Sequence, residues 1–81
     1  MSTTDLKARI GAHIKARRIQ LGLSQRELCR RAGLGSSFLI YIEKGEQSLT
    51  VPNLVAIGAV LGRSLDWFVK EDIQQRRTEN R

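Results

Sequence analysis

Few residues in this chain can do chemistry, and their types narrow the choice. One histidine, His13, and one cysteine, Cys29, occur in 81 residues. A single cysteine rules out an internal disulfide and a cysteine-based metal cluster. A reactive thiol also needs exposure and a lowered pKa, so Cys29 reads as core packing. His13 has no acid or nucleophile near it and reads as structural. No serine or cysteine triad is legible, and no carboxylate pair has a plausible pocket in so small a chain. The expectation is a non-enzyme with no catalytic residue, metal, cofactor or small-molecule ligand. What stands out is a concentrated run from Ser36 to Lys44. At 100° per residue, Phe38, Leu39, Ile42 and Glu43 fall on one side of a helix, and Ser36, Ser37, Ile40, Tyr41 and Lys44 on the other. The second set suits the floor of a DNA groove. Hydroxyls donate or accept at base edges, an aliphatic group meets a thymine methyl, and lysine reaches phosphate. An exposed Ile40 on an ordinary surface is the bland alternative.

Charge agrees with a polyanion partner without requiring one. Lys and Arg number 14 against 8 Asp and Glu, for a net charge of +6. Residues 1–34 carry eight basic and two acidic side chains, 35–69 two and three, and 70–81 four and three. A basic block on a small domain points to nucleic acid first, and equally well to a solvated surface kept for solubility.

The elements that must position these groups are helices. Apolar residues recur at helical spacing, no stretch alternates for strand length, and Pro52 is the only proline. Gly22, Gly33, Gly45 and Gly62 each follow an apolar-periodic segment, as left-handed helix stops do. Five helices follow. The first runs from about Leu6 to Leu21, with Leu6, Ile10, Ile14 and Leu21 as its stripe. The second opens at Ser24, with Glu27 completing a capping box, turns Leu28, Cys29 and Ala32 inward and stops at Gly33. The third covers Ser36 to Lys44. The fourth is capped by Thr50, tolerates Pro52 in its first turn and buries Leu54, Val55, Ile57 and Leu61. The fifth is capped by Ser64 and carries Trp67 and Phe68. The expected class is all-α, with a compact five-helix domain over 1–69. Residues 70–81 form a polar extension that continues the last helix or frays.

Two short helices joined by the turn Gly33-Leu34-Gly35 make a helix-turn-helix unit. The run RRIQLGLSQRELCRRAGLGSSFLIYIEKG at 17–45, continued by LVAIGAVLGRSLDWFV at 54–69, resembles the lambdoid phage repressor and Cro-type helix-turn-helix family, also called XRE. R-x-x-x-G-L-S-Q-x-x-L, the central Gly33, I-E-x-G and L-G-x-S-L-D-W all fall in register, and the likeness covers about three-quarters of the chain. A weaker likeness, through L-T-x-x-x-L at 49–54, is to restriction–modification controller proteins. The resemblance implies a lambda-repressor-like five-helix fold, major-groove reading by the third helix and operator binding as a two-fold homodimer. It implies that Ser36, Ser37 and Tyr41 read bases. Gln25 would support the recognition helix and touch backbone or an adjacent base, while Lys44, Gln47 and Ser48 would grip phosphate. It also implies an ion pair between Arg18 and Glu43, since an unpaired carboxylate beside a buried arc is costly. Family members often carry glutamines where this chain has serines, so a different and partly water-mediated readout is expected. Cys29 stands where the family usually has alanine.

Arg26, Arg30 and Arg31 face outward and suit phosphate, a partner protein or water. Activators of this family often present acidic residues there, so a basic surface leans towards repression. RNA polymerase is a candidate further partner. Leu65, Trp67, Val69 and Ile73 are the expected dimer seam, unless both aromatics are internal. No apolar run suits a signal peptide or membrane span, so the expected location is cytoplasmic. The rival reading is an antitoxin or other protein-interaction module of the same fold.

Overall fold

The computed structural model describes residues 3–70, and the expected seam residue Ile73 and extension 71–81 lie outside that range. Five helices follow in order: α1 (Thr3–Gln20), α2 (Gln25–Ala32), α3 (Phe38–Glu43), α4 (Val51–Leu61) and α5 (Leu65–Val69). No strand occurs among the described residues. Their ends have chemical causes. The Ser24 hydroxyl accepts from the Glu27 N–H at 3.0 Å and the Thr50 hydroxyl from the Asn53 N–H at 3.3 Å, each satisfying a donor that the first turn leaves free. Pro52 sits in the first turn of α4, where the N–H it lacks has no partner to lose.

Two helices differ from expectation in their bounds. α1 begins at Thr3, and α3 is two turns of helix at most because Ser36 and Ser37 belong to the turn before it. Ser64 holds the N-cap position of α5 through its extended backbone, with no side-chain bond. The capping box is half made. Ser24 caps, while the Glu27 carboxylate turns outward to Arg30 and Arg31.

α1 packs on α3 and α5, and α2 on α3 and α4, with α4 touching α5. Their inner faces meet in one core of Ile14, Leu28, Cys29, Leu39, Ile42, Leu54, Ile57, Leu61 and Phe68. Helical periodicity places Leu21 and Val55 inside, whereas they are 42% and 50% exposed. Leu21 lies past the last residue of α1, where the helical stripe no longer applies. Val55 sits next to the buried Leu54, a step of 100° that carries it off the inner face.

Two arginines of α1 lock the bundle. Arg17 Nε donates to the Leu61 carbonyl at 2.9 Å and Arg9 Nη1 to the Val69 carbonyl at 3.1 Å. Each cation satisfies a carbonyl at a helix C-terminus, where the helix dipole is negative. Trp67 docks α5 edge-on to His13 and Phe68, with ring centroids 5.1 and 5.2 Å apart. His13 Nδ1 donates to the Arg9 carbonyl at 2.7 Å, which fixes its ring.

The α1–α3 crossing is backbone to backbone. A methyl group at Gly11 would overlap the Ile42 carbonyl oxygen and lie 3.2 Å from Glu43 Cα. No flexible side chain stands there to give way. Gly11→Ala should therefore force the helices apart and destabilise the domain by about 1–3 kcal/mol. Urea denaturation followed by circular dichroism measures this, and an unchanged midpoint would show that the crossing has slack.

Candidate nucleic-acid interface

Six residues cannot hold a helix alone in water, so α3 depends on what fastens it. Leu39 and Ile42 are fully buried beneath it, and Glu43 ties its last turn to the rest of the fold. Arg18 Nε and Nη2 grip Glu43 Oε2 and Oε1 at 2.7 and 3.0 Å, while Arg18 Nη1 donates to the Leu23 carbonyl at 2.8 Å. Gln25 Nε2 adds a third bond to the carboxylate, reaching Oε1 at 3.0 Å. The Arg18 and Glu43 side chains keep only 11% and 3% of their surface. One carboxylate thereby joins α1, the turn before α2, the first residue of α2 and the last residue of α3. Bidentate geometry adds direction to the attraction.

The turn between α2 and α3 is set by Gly33. Its φ of 75° is left-handed, a region where a Cβ is penalised. Its N–H donates to the Arg30 carbonyl at 3.2 Å and that of Leu34 to Cys29 at 2.8 Å, the paired bonds of a Schellman stop. Leu34 then packs on the core next to Cys29, and the chain turns into Ser36 and Ser37.

The face of α3 opposite the core is open. Ser36 and Ser37 are exposed, Ile40 is 37% and Tyr41 51% exposed, and Lys44 stands at the exit with its Nζ 5.8 Å from the Tyr41 ring centroid. Ser37 occupies the N-cap position without using its hydroxyl there. Gln47 and Ser48 are exposed in the loop that follows. Arg26 is exposed at the start of α2, while Gln25 is half-buried with its amide on Glu43. Ile40 and Tyr41 are thus open on α3 itself, with Ser36 and Ser37 in the turn before it and Lys44 at its end. Among the sequence-selected seam residues, Leu65 and Val69 are 38% and 36% exposed and Trp67 is half-buried.

Much of the basic block has other work. Arg9, Arg17 and Arg18 are committed to acceptors within the chain. Arg31 Nε binds Glu27 Oε2 at 2.7 Å, and Arg30 Nε binds Oε1 at 3.2 Å. Hydrogen bonds from Arg30 and then Arg31 hold the Glu27 carboxyl at about 2, well below the usual carboxylate range. Composition had no means of separating these arginines from phosphate contacts. Arg9 and Arg17 bond to residues 60 and 44 positions away, and only folding brings them together.

Comparisons with known proteins come to the same region. The family model described as helix-turn-helix matches residues 14–68, more than half the chain and all of α2 and α3. A crystal structure of the hypothetical transcription factor NHTF from Neisseria superposes with a TM-score of 0.81 at 24% identity, covering 98% of this chain and 90% of that one. The clp gene regulator ClgR from Corynebacterium glutamicum gives a TM-score of 0.73 at 23% identity, over 93% and 84%. At these identities the likeness is one of fold. No curated protein matches.

Breaking the buried pair should be severe. Glu43→Ala leaves the Arg18 guanidinium without its carboxylate and is expected to cost ~3–5 kcal/mol in urea unfolding; wild-type stability in that variant would mean the pair holds nothing. The Glu27 carboxyl should titrate at about 2 by NMR and return to about 4.3 in Arg30→Gln/Arg31→Gln. Its folded pKa is the depressed one. The ion pair therefore favours the fold above the unfolded carboxylate pKa, and that stabilisation disappears as pH falls towards 2.

Proposed function

The chain belongs to the XRE-type helix-turn-helix family of DNA-binding regulators, and on that premise we propose that it is a non-enzymatic, sequence-specific transcription regulator. It acts as a repressor or autoregulator and binds a two-fold related operator as a homodimer, with α3 of each subunit in a major groove. The observation that carries this reading is the open face of α3. Ser36 and Ser37 in the turn before α3 and Ile40 and Tyr41 on it carry hydroxyl, aliphatic and phenol groups, and the other side of the helix is locked to the core and to Arg18. Such groups read base edges and thymine methyls, and the buried carboxylate network keeps the face in one orientation.

Arg26, Lys44, Gln47 and Ser48 border that face and reach phosphate. They supply affinity and register without sequence information. Gln25 acts mainly as a support, since its amide nitrogen is already committed to Glu43. Two-fold symmetry sets the half-sites about 34 Å apart along one side of the duplex. The basic outer surface of α2, with Arg30 and Arg31 outnumbering Glu27, favours repression over contact-driven activation.

Fluorescence anisotropy tests this on the DNA upstream of the protein's own gene, against a scrambled duplex at two salt concentrations. Preference for the native duplex should persist at the higher salt. Ser37→Ala/Tyr41→Ala should weaken binding to that duplex by about tenfold or more for each base-edge hydrogen bond removed, and leave binding to the scrambled one unchanged. Lys44→Gln should weaken both and lower the salt slope by about 0.9. Equal, salt-labile binding to both duplexes would count against operator reading there and favour action through a protein partner.

A further inference from the structure

The open groups around α3 differ in how firmly each fixes what it can meet. Ser36, Ser37 and Tyr41 are exposed and end in hydroxyls, and a hydroxyl both donates and accepts. Such a group bonds to the amino edge of a base as readily as to its carbonyl edge. The side chains that tell those edges apart are arginine, lysine, asparagine, glutamine and the carboxylates. None of them is open on α3, FLIYIE, or in the turn before it, because the one carboxylate, Glu43, is held by Arg18 and Gln25. Lys44 follows the helix with its Nζ over the Tyr41 ring. Ile40 is different in kind. It is 37% exposed next to the buried Leu39, has no polar atom, and gains only by meeting an apolar group.

The apolar group that a base pair presents in the major groove is the C5 methyl of a pyrimidine. Thymine carries it, and 5-methylcytosine carries the same methyl at the same ring position. Ordinary cytosine has only hydrogen there. A β-branched side chain in a helix is stiff at χ1, so Ile40 loses little freedom when a methyl packs on it. We propose that Ile40 is the specificity-determining residue of the reading face, and that it selects operator pyrimidines by their C5 methyl, thymine and 5-methylcytosine alike, over unmethylated cytosine. The hydroxyls of Ser36, Ser37 and Tyr41 accommodate the carbonyl of thymine and the amino group of 5-methylcytosine equally, since they accept as well as donate. Methylation of a cytosine at that place therefore strengthens binding. This rests on the operator-reading role of α3 and deepens it.

The test selects the tightest duplex for the full chain from a random-sequence DNA library, then resynthesises it with single changes and measures each affinity by fluorescence anisotropy. Replacing a thymine by deoxyuridine removes the methyl and nothing else. At one thymine in each half-site this should weaken binding about fourfold per methyl. Cytosine opposite guanine at that place should weaken it at least as much, and 5-methylcytosine opposite guanine should restore it. These changes are made on the DNA, so they probe the wild-type protein without risk to its fold. Ile40→Ser should keep the helical circular dichroism of the wild type and bind the thymine, deoxyuridine and 5-methylcytosine duplexes alike. Three results would overturn the assignment and leave the operator-reading regulator standing: a selected duplex that tolerates deoxyuridine at every thymine, a 5-methylcytosine duplex bound no better than its cytosine counterpart, or a methyl preference that survives in Ile40→Ser. A library that yields no preferred sequence overturns the assignment and operator reading together.

Discussion

The carboxylate of Glu43 is the point on which the arrangement of this domain turns. It lies at the end of a helix too short to persist by itself, and burial strips it of nearly all its water. An unpaired carboxylate in such a place is untenable, so the chain must bring donors to it. Arg18 supplies two from α1 and Gln25 a third from α2. The third bond involves the residue that begins α2, so the relative orientation of the two short helices is part of the same solution. Hydrophobic contacts beneath Leu39 and Ile42 hold α3 against the core but are tolerant of rotation. Directed bonds to one carboxylate are not.

Close approach reinforces that arrangement. Gly11 lets α1 run directly against the α3 backbone, and Arg18 is seven residues further along the same helix. α1 therefore meets α3 twice, once through a missing side chain and once through a long charged one. Further contacts run from the same helix to the carbonyl ends of α4 and α5 through Arg17 and Arg9. A single long helix thus serves as the strut against which three short ones are set.

Five of the eight cations in the first 34 residues are tied to acceptors within the chain. Arg9, Arg17 and Arg18 satisfy internal acceptors, and Arg30 and Arg31 share Glu27. Arg26 on α2 and Lys44 just after α3 are exposed. The cations left to a polyanion are therefore fewer than net charge implies. α4 contrasts with this, carrying no charge and exposing valine to water.

Local chemistry was enough to read much of this from sequence. Glycine stops depend on φ preferences of single residues, N-caps on a hydroxyl three positions from a donor, and helix faces on a fixed period, so the five helices and the inward set on α3 were legible in the residues themselves. The family resemblance carried the Arg18–Glu43 assignment. Finer features of the same kind failed where a second interaction competed. Glu27 left its capping bond for two arginines that offer full charges, and Val55 left the core because it stands a 100° step outside the arc that Leu54, Ile57, Gly58 and Leu61 share. Tertiary structure alone decided which arginines of α1 bond to distant carbonyls, why Gly11 must lack a side chain and that Gln25 faces Glu43. Each of these depends on groups far apart in the chain, whose meeting is set by how whole helices pack and by no local preference that a single residue carries.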